Sequence, residues 1–283
     1  MKKIFCSIGL CLSLLLLFSV SEATADAEEE FRQTYRISPG TAVTVENVNG
    51  DIHVSSWDND YVDVRAVKRT NRGQDDLDLV TIEVINNGSL NIKTVYHKYD
   101  QNDDSFFRRS FKRFMSSGPK VNVNYTVKIP KQASLDDVKT VNGTVSIVET
   151  HGDTETYSTN GNVEVTRTNG KITAATTNGN VYVVDADCIT KANAVNGNLK
   201  ITLPGVMACD SELSTVNGSI DIFAAFDMNA DVDFKTVNGS IKAQEFSVTI
   251  STVSKKELVG RLRDGGNRIK AKTVNGSIQL QRK

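Results

Sequence analysis

Beyond its first 25 residues the chain has no apolar run long enough to cross a bilayer. It lacks a nucleophile elbow, a phosphate-binding loop and a dinucleotide fingerprint, which removes the sharpest signatures of hydrolase, nucleotidase and dehydrogenase chemistry. Its three histidines, His53, His97 and His151, lie far apart, and no His/Cys/Glu grouping has zinc spacing. Acidic clusters occur at Asp58-Asn59-Asp60, Asp75-Asp76-Leu77-Asp78 and Asp100-Gln101-Asn102-Asp103-Asp104. None has the glycine and distal Glu of a calcium loop, so they read as solvated turns. No cofactor and no metal are expected. With 33 Lys and Arg against 34 Asp and Glu the chain has no basic field, which argues against nucleic acid as a partner.

The chain opens on Met1-Lys2-Lys3, an apolar stretch from Ile4 to about Val20, and Ala23-Thr24-Ala25 ahead of acidic residues. A basic start, a hydrophobic middle and a small-x-small site make a secretory signal peptide over residues 1–25. The expected product is exported, to the periplasm, the cell surface or the medium. Residues 26–39 form an acidic segment, expected to be disordered over residues 26–30.

What dominates the rest is one phrase. Thr-Val-Asn-Gly-Ser-Ile stands intact at 215–220, 236–241 and 273–278, and looser copies surround it. The turn pairs are Asn49-Gly50, Asn142-Gly143, Asn160-Gly161, Asn169-Gly170, Asn178-Gly179, Asn196-Gly197, Asn217-Gly218, Asn238-Gly239 and Asn275-Gly276. A recurring turn followed by a recurring short strand means one supersecondary unit stacked many times. From Gly143 the glycines fall every nine residues to Gly179, then at steps of 18, 21, 21 and 37.

Asn-Gly is a strong hairpin signal, so a nine-residue period could build an antiparallel meander. A β-solenoid explains the later spacing better, with nine residues as half a coil. Its second corner, near Asp187-Cys188, Ala208-Cys209 and Asn229-Ala230, then simply lacks the Asn-Gly signature. Two and four residues after the turn glycine stand Leu199 and Ile201, Ile220 and Ile222, Ile241 and Ala243, Ile278 and Leu280. Five before it stand Ala192, Leu213, Phe234 and Ala271. These are expected inside, with Lys191, Glu212, Asp233 and Lys270 facing water. The expected fold is therefore all-β, a single-stranded parallel β-helix or β-solenoid with coils of 18–21 residues. Residues 40–98 would be diverged coils and residues 121–283 the regular solenoid. Asn87-Gly88-Ser89-Leu90 reads as a weaker copy of the phrase, and Trp57 as a core or capping residue.

Cys188 and Cys209 fall at the same corner of successive coils, where either a disulfide or a pair of buried thiols fits. Residues 99–120 break the pattern. There Phe107, Phe111 and Phe114 share one face of a potential helix, with Arg108, Arg109, Lys112 and Arg113 around it. Two readings stand for this insertion: a cap or flank packed on the solenoid, or a peripheral contact with a membrane or partner.

The sequence resembles the bacterial DUF4097 family of adhesin-like proteins over roughly residues 40–283. The carriers are Thr140-Val141-Asn142-Gly143 and the three intact phrases. The resemblance implies an exported, non-enzymatic β-solenoid that binds an unknown envelope, glycan or protein ligand, and it carries over no defined binding residue. Two alternatives stand beside it: a polysaccharide lyase or hydrolase with carboxylates gathered in a groove, and an envelope scaffold docking through 99–120.

Overall fold

The computed structural model describes residues 26–97, 120–243, 246 and 248–283. The signal-peptide expectation and Phe107 to Phe114 lie outside the described residues. The N-terminal elements are β1 (Ala27–Arg36), β2 (Ala42–Glu46), β3 (Ile52–Trp57), β4 (Tyr61–Thr70), α1 (Gln74–Asp78), β5 (Val80–Asn86), β6 (Leu90–Tyr96) and β7 (Asn122–Pro130). The body comprises β8 (Ser134–Asn142), β9 (Val145–Val148), β10 (Thr154–Asn160), β11 (Val163–Thr166), β12 (Lys171–Asn178), β13 (Val181–Val184), β14 (Cys188–Asn196), β15 (Leu199–Thr202), β16 (Ser211–Asn217) and β17 (Ile220–Ala224). The C-terminal elements are β18 (Ala230–Asn238), β19 (Ile241–Ala243), β20 (Val248–Val253), β21 (Glu257–Leu262), β22 (Arg268–Asn275) and β23 (Ile278–Arg282).

In the body each coil has two strands, a long one in a twelve-stranded sheet and a short one in an eleven-stranded sheet. The Asn-Gly pair turns the chain between them. Successive coils stack in parallel and, apart from a one-residue shift between β12 and β14 at Ile172/Thr173, in register, so like residues lie over like. Val145, Val163, Val181, Leu199, Ile220 and Ile278 form one buried column, and Ile147, Val165, Val183, Ile201, Ile222 and Leu280 a second. Ala174, Ala192, Leu213, Ala271 and Phe234 face them from the other sheet. Each buried Val, Ile or Leu contributes about 1.5–3 kcal/mol. No single coil has enough of them to be stable without its neighbours.

The winding is not one continuous spiral. The coil β22–β23 sits between β16–β17 and β18–β19, so the turn at Gly276 lies between those at Gly218 and Gly239. The three turns carry the same phrase, and their local sequence cannot say which is whose neighbour. The β20–β21 hairpin settles it: β21 pairs antiparallel along the outer edge of β18, leaving β22 the inner slot.

The N-terminal region also departs from a simple run of coils. β2–β3 is a true coil stacked on β8–β9, with Asn49 bridging Asn142. β6 and β7 extend the parallel stack, one strand in each sheet. β5 and β4 run antiparallel to them, and Asn87-Gly88 turns a hairpin between β5 and β6. Of residues 26–30, expected to be disordered, all but Asp26 belong to β1. Their acids pair across the strand boundary with β4, Glu28 to Arg69, Glu29 to Lys68 and Glu30 to Arg65 at 2.7–2.9 Å. An acidic strand beside a basic one supplies its own partner, and the outermost edge is a charged strand that resists edge-to-edge association. Trp57, at the end of β3, packs edge-on against Tyr61 and lies under Lys128.

Candidate functional site

The Asn-Gly corner is built from three side-chain ladders. Asn49, Asn142, Asn160, Asn178, Asn196, Asn217, Asn275 and Asn238 stack in that order, each amide donating to the preceding amide oxygen at 2.7–2.9 Å. Just past the glycine, Asn162, Asn180 and Asn198 accept from the backbone amide of the next coil at 2.8–2.9 Å. Two residues before the asparagine, an inward hydroxyl donates to the glycine carbonyl of the coil below, as from Ser158, Thr176, Thr215, Thr273 and Thr236 at 2.8 Å. Asn169-Gly170 stands apart. It lies at the opposite corner over His151-Gly152, which explains the nine-residue glycine period.

The hydroxyl ladder has one gap, because Ala194 occupies the position held by Thr176 and Thr215 in the flanking coils. Ala194→Thr should supply the Gly179 carbonyl with a donor and raise stability by about 1 kcal/mol, read as a higher denaturation midpoint.

The corner borders the outer face of the twelve-stranded sheet. Parallel register lays residues there in rows running along the solenoid. One row reads Lys93, Glu46, Lys139, Tyr157, Ala175, Asn193, Ser214, Lys272, Lys235. A second reads Asp137, Glu155, Thr173, Lys191, Glu212, Lys270, Asp233. Beside the corner a third carries the exposed valines Val195, Val216, Val274 and Val237. Neighbouring charges offset one another, Lys270 with Glu212 at 2.9 Å and Lys235 with Glu257 at 3.0 Å. The face is thus an exposed strip of mixed polar and aliphatic character with one repeat per strand, about 4.8 Å.

Toward the N-terminal side this face dips into an open groove of about 350 Å³ lined by Lys139, Glu155, Thr156, Tyr157, Thr173 and Ala175. Beside it Asp137 pairs through Oδ2 with Lys139, while its Oδ1 is buried without a hydrogen-bond partner. Burial raises the Asp137 carboxyl above its ordinary value against the pull of Lys139. Burial raises Glu46 as well, and the Asp137 carboxylate adds to it. A carboxyl raised on folding stabilises fully below its unfolded pKa, and that contribution is lost as pH climbs through the folded value. Asp137→Asn should therefore raise the melting temperature at neutral pH, and the gain should vanish below about pH 4. A gain that persists in acid would mean that packing, not ionisation, is responsible. Glu46, Asp137 and Tyr157 come from separate coils, so no local motif announces the groove.

At the second corner Glu149, Arg167 and Asp185 stack in left-handed conformations, at φ of 56°, 49° and 53°. Arg167 pairs with Glu149 at 2.8 Å, and the terminal Lys283 with Asp185. On the same side of the solenoid Cys188 and Cys209 are joined by a disulfide with Cα atoms 5.5 Å apart. Among the described residues no three His, Cys, Asp or Glu side chains gather as a metal site.

The family model described as Toastrack DUF4097 matches residues 175–281. No curated protein matches the chain. Among solved structures, a candidate adhesin from Bacteroides fragilis is 13% identical, with 89% of this chain and 97% of that chain covered and a TM-score of 0.43. A candidate lipid binding protein from Parabacteroides distasonis is 15% identical over 89% of this chain and 96% of that one, also at 0.43. A candidate cell adhesion protein from Clostridium sporogenes is 9% identical over 90% of this chain and 100% of that one, at 0.33.

Proposed function

We propose, for a chain whose residues 175–281 match the Toastrack DUF4097 family model, that the protein is an exported, non-enzymatic, adhesin-like binding protein. Its binding surface is the outer face of the twelve-stranded sheet. The observation that carries this reading is the register of β14, β16, β22 and β18, which sets outward-facing Lys, Asn, Ser and Val side chains in rows along the solenoid axis. A linear polymer with a repeat near the strand spacing meets similar contacts at each coil. Contacts that are weak singly then add through multivalency. The envelope and glycans supply such polymers.

The test is sedimentation of the full mature chain with isolated bacterial cell-wall sacculi, and its retention on an immobilised panel of linear glycans. Lys272→Glu combined with Val216→Glu should abolish retention. Lys200→Glu with Glu164→Lys, on the outer face of the other sheet, should leave it intact. No retention on any probe, or equal loss from both faces, would remove this surface as the binding site.

One observation favours a second reading. The carboxyls of Glu46 and Asp137, both raised by burial beside an open groove, supply one element of a glycan-cleaving site, an acid that holds its proton above the ordinary carboxylate range. Chain shortening of a glycan by the purified protein, lost in Asp137→Asn, would establish it over the binding role.

A further inference from the structure

The chain carries ten Asn-Gly pairs. Asn followed by Gly is intrinsically prone to conversion, because an unhindered glycine nitrogen can attack the asparagine side chain. The glycine nitrogen loses its proton and bonds to Cγ, the Cγ–Nδ2 bond breaks, and ammonia leaves with the proton. Water then opens the cyclic imide to aspartate or isoaspartate. One water is consumed and one negative charge gained, with no oxidant, reductant or cofactor.

The fold divides the ten pairs. In seven of them, those ending at Gly50, Gly143, Gly161, Gly179, Gly197, Gly218 and Gly276, the glycine N–H donates to the asparagine carbonyl of the adjoining coil at 2.7–3.1 Å. The asparagine amides of the same pairs are held in the side-chain ladder, so nucleophile and electrophile are both committed. The other three pairs lack this lock. Asn87-Gly88 is an exposed hairpin turn, Asn169-Gly170 sits at the other corner, and Asn238-Gly239 is the last rung of the ladder. Among the described residues, none of these three glycine amides donates a hydrogen bond. We infer that Asn-to-Asp and isoaspartate conversion in the folded protein is confined to Asn87, Asn169 and Asn238, and that Asn238 is where it alters the solenoid. The Asn238 amide donates to Asn275 Oδ1 at 2.9 Å, and the product carboxylate cannot donate. Asn87 and Gly88 are exposed and a Cβ built at Gly88 would have nothing within 4 Å, so conversion at Asn87 is structurally silent.

The test is peptide mapping by mass spectrometry of the folded chain held at mildly alkaline pH in heavy-oxygen water, where each converted site takes up label. The reduced, denaturant-unfolded chain is the control in which all ten pairs react. Releasing a bonded glycine amide slows the step about tenfold or more, so the three open sites should outpace the seven by at least that factor. Label at Asn178 within about threefold of that at Asn87 would overturn the inference. Independently, Asn238→Asp should lower the melting temperature and Asn87→Asp should not. Equal behaviour of the two would refute the assignment of Asn238 as the consequential site.

Discussion

Gly197→Ala is expected to lower the melting temperature by roughly 10 °C or to prevent folding, a loss of about 3 kcal/mol or more. A Cβ built at Gly197 would lie 1.6 Å from the Gly179 carbonyl oxygen. That oxygen belongs to backbone locked into the coil below, so no side chain can swing aside. Gly161, Gly179, Gly218, Gly239 and Gly276 meet the carbonyl of an adjoining glycine in the same way, at 1.8–2.1 Å. One relaxed corner would therefore displace the next. Gly88→Ala is the matched control. Its φ of +86° penalises alanine, but nothing lies within 4 Å of the added methyl, and the cost should stop at about 1–2 kcal/mol. Circular dichroism melts of the two variants decide it. If Gly197→Ala melts as high as Gly88→Ala, close stacking of glycine carbonyls is not what holds the corner.

That contrast also shows what could be read from the sequence. The phrase itself reveals the coil, its inward columns and its asparagine ladder, because all three depend on residues a fixed distance from one glycine. The reason for the glycine is not legible there. A backbone angle suffices as the sequence argument. At Gly197, Gly218, Gly239 and Gly276, however, the φ is outside the left-handed range, and the requirement is the approach of the neighbouring carbonyl. Coil order is illegible for the opposite reason. The turns at Gly218, Gly239 and Gly276 are locally identical, and contacts made far along the chain, the β20–β21 hairpin on β18 among them, determine which becomes the neighbour of which. Asn87-Gly88 looks like another copy but makes a reversal, because β5 supplies an antiparallel partner for β6. The groove beside Asp137 was hidden because Glu46, Asp137 and Tyr157 come into register only once separate coils are stacked.

Removing the Cys188–Cys209 disulfide by the double substitution Cys188→Ala, Cys209→Ala should cost about 3 kcal/mol, the chain-entropy value for a closed loop of this size. The cysteines are 21 residues apart and tie the start of β14 to the loop that enters β16. This is where the coil lengthens from 18 to 21 residues, and the added length forms the connection between β15 and β16. Val206 in that connection is 86% exposed and only Leu203 and Met207 anchor it by burial, so further ties are needed to hold the loop. Two are present: the Asn267 amide donates to the Met207 carbonyl at 2.7 Å, and the Arg268 N–H donates to Asp210 Oδ1 at 2.8 Å. Both reach into β22 or its approach, the strand inserted out of sequence order. Loss of the disulfide should therefore loosen the loop first and the docking of β22 on β16 second, leaving β8 to β13 protected. Hydrogen exchange resolved along the chain should show that gradient, with residues 203–210 exchanging fastest and 268–275 next. Reductant should bring the unsubstituted protein to the melting temperature of the double variant and leave the variant itself unmoved. A uniform rise in exchange across every coil would show that the disulfide stabilises the molecule as a whole instead of clamping the lengthened corner.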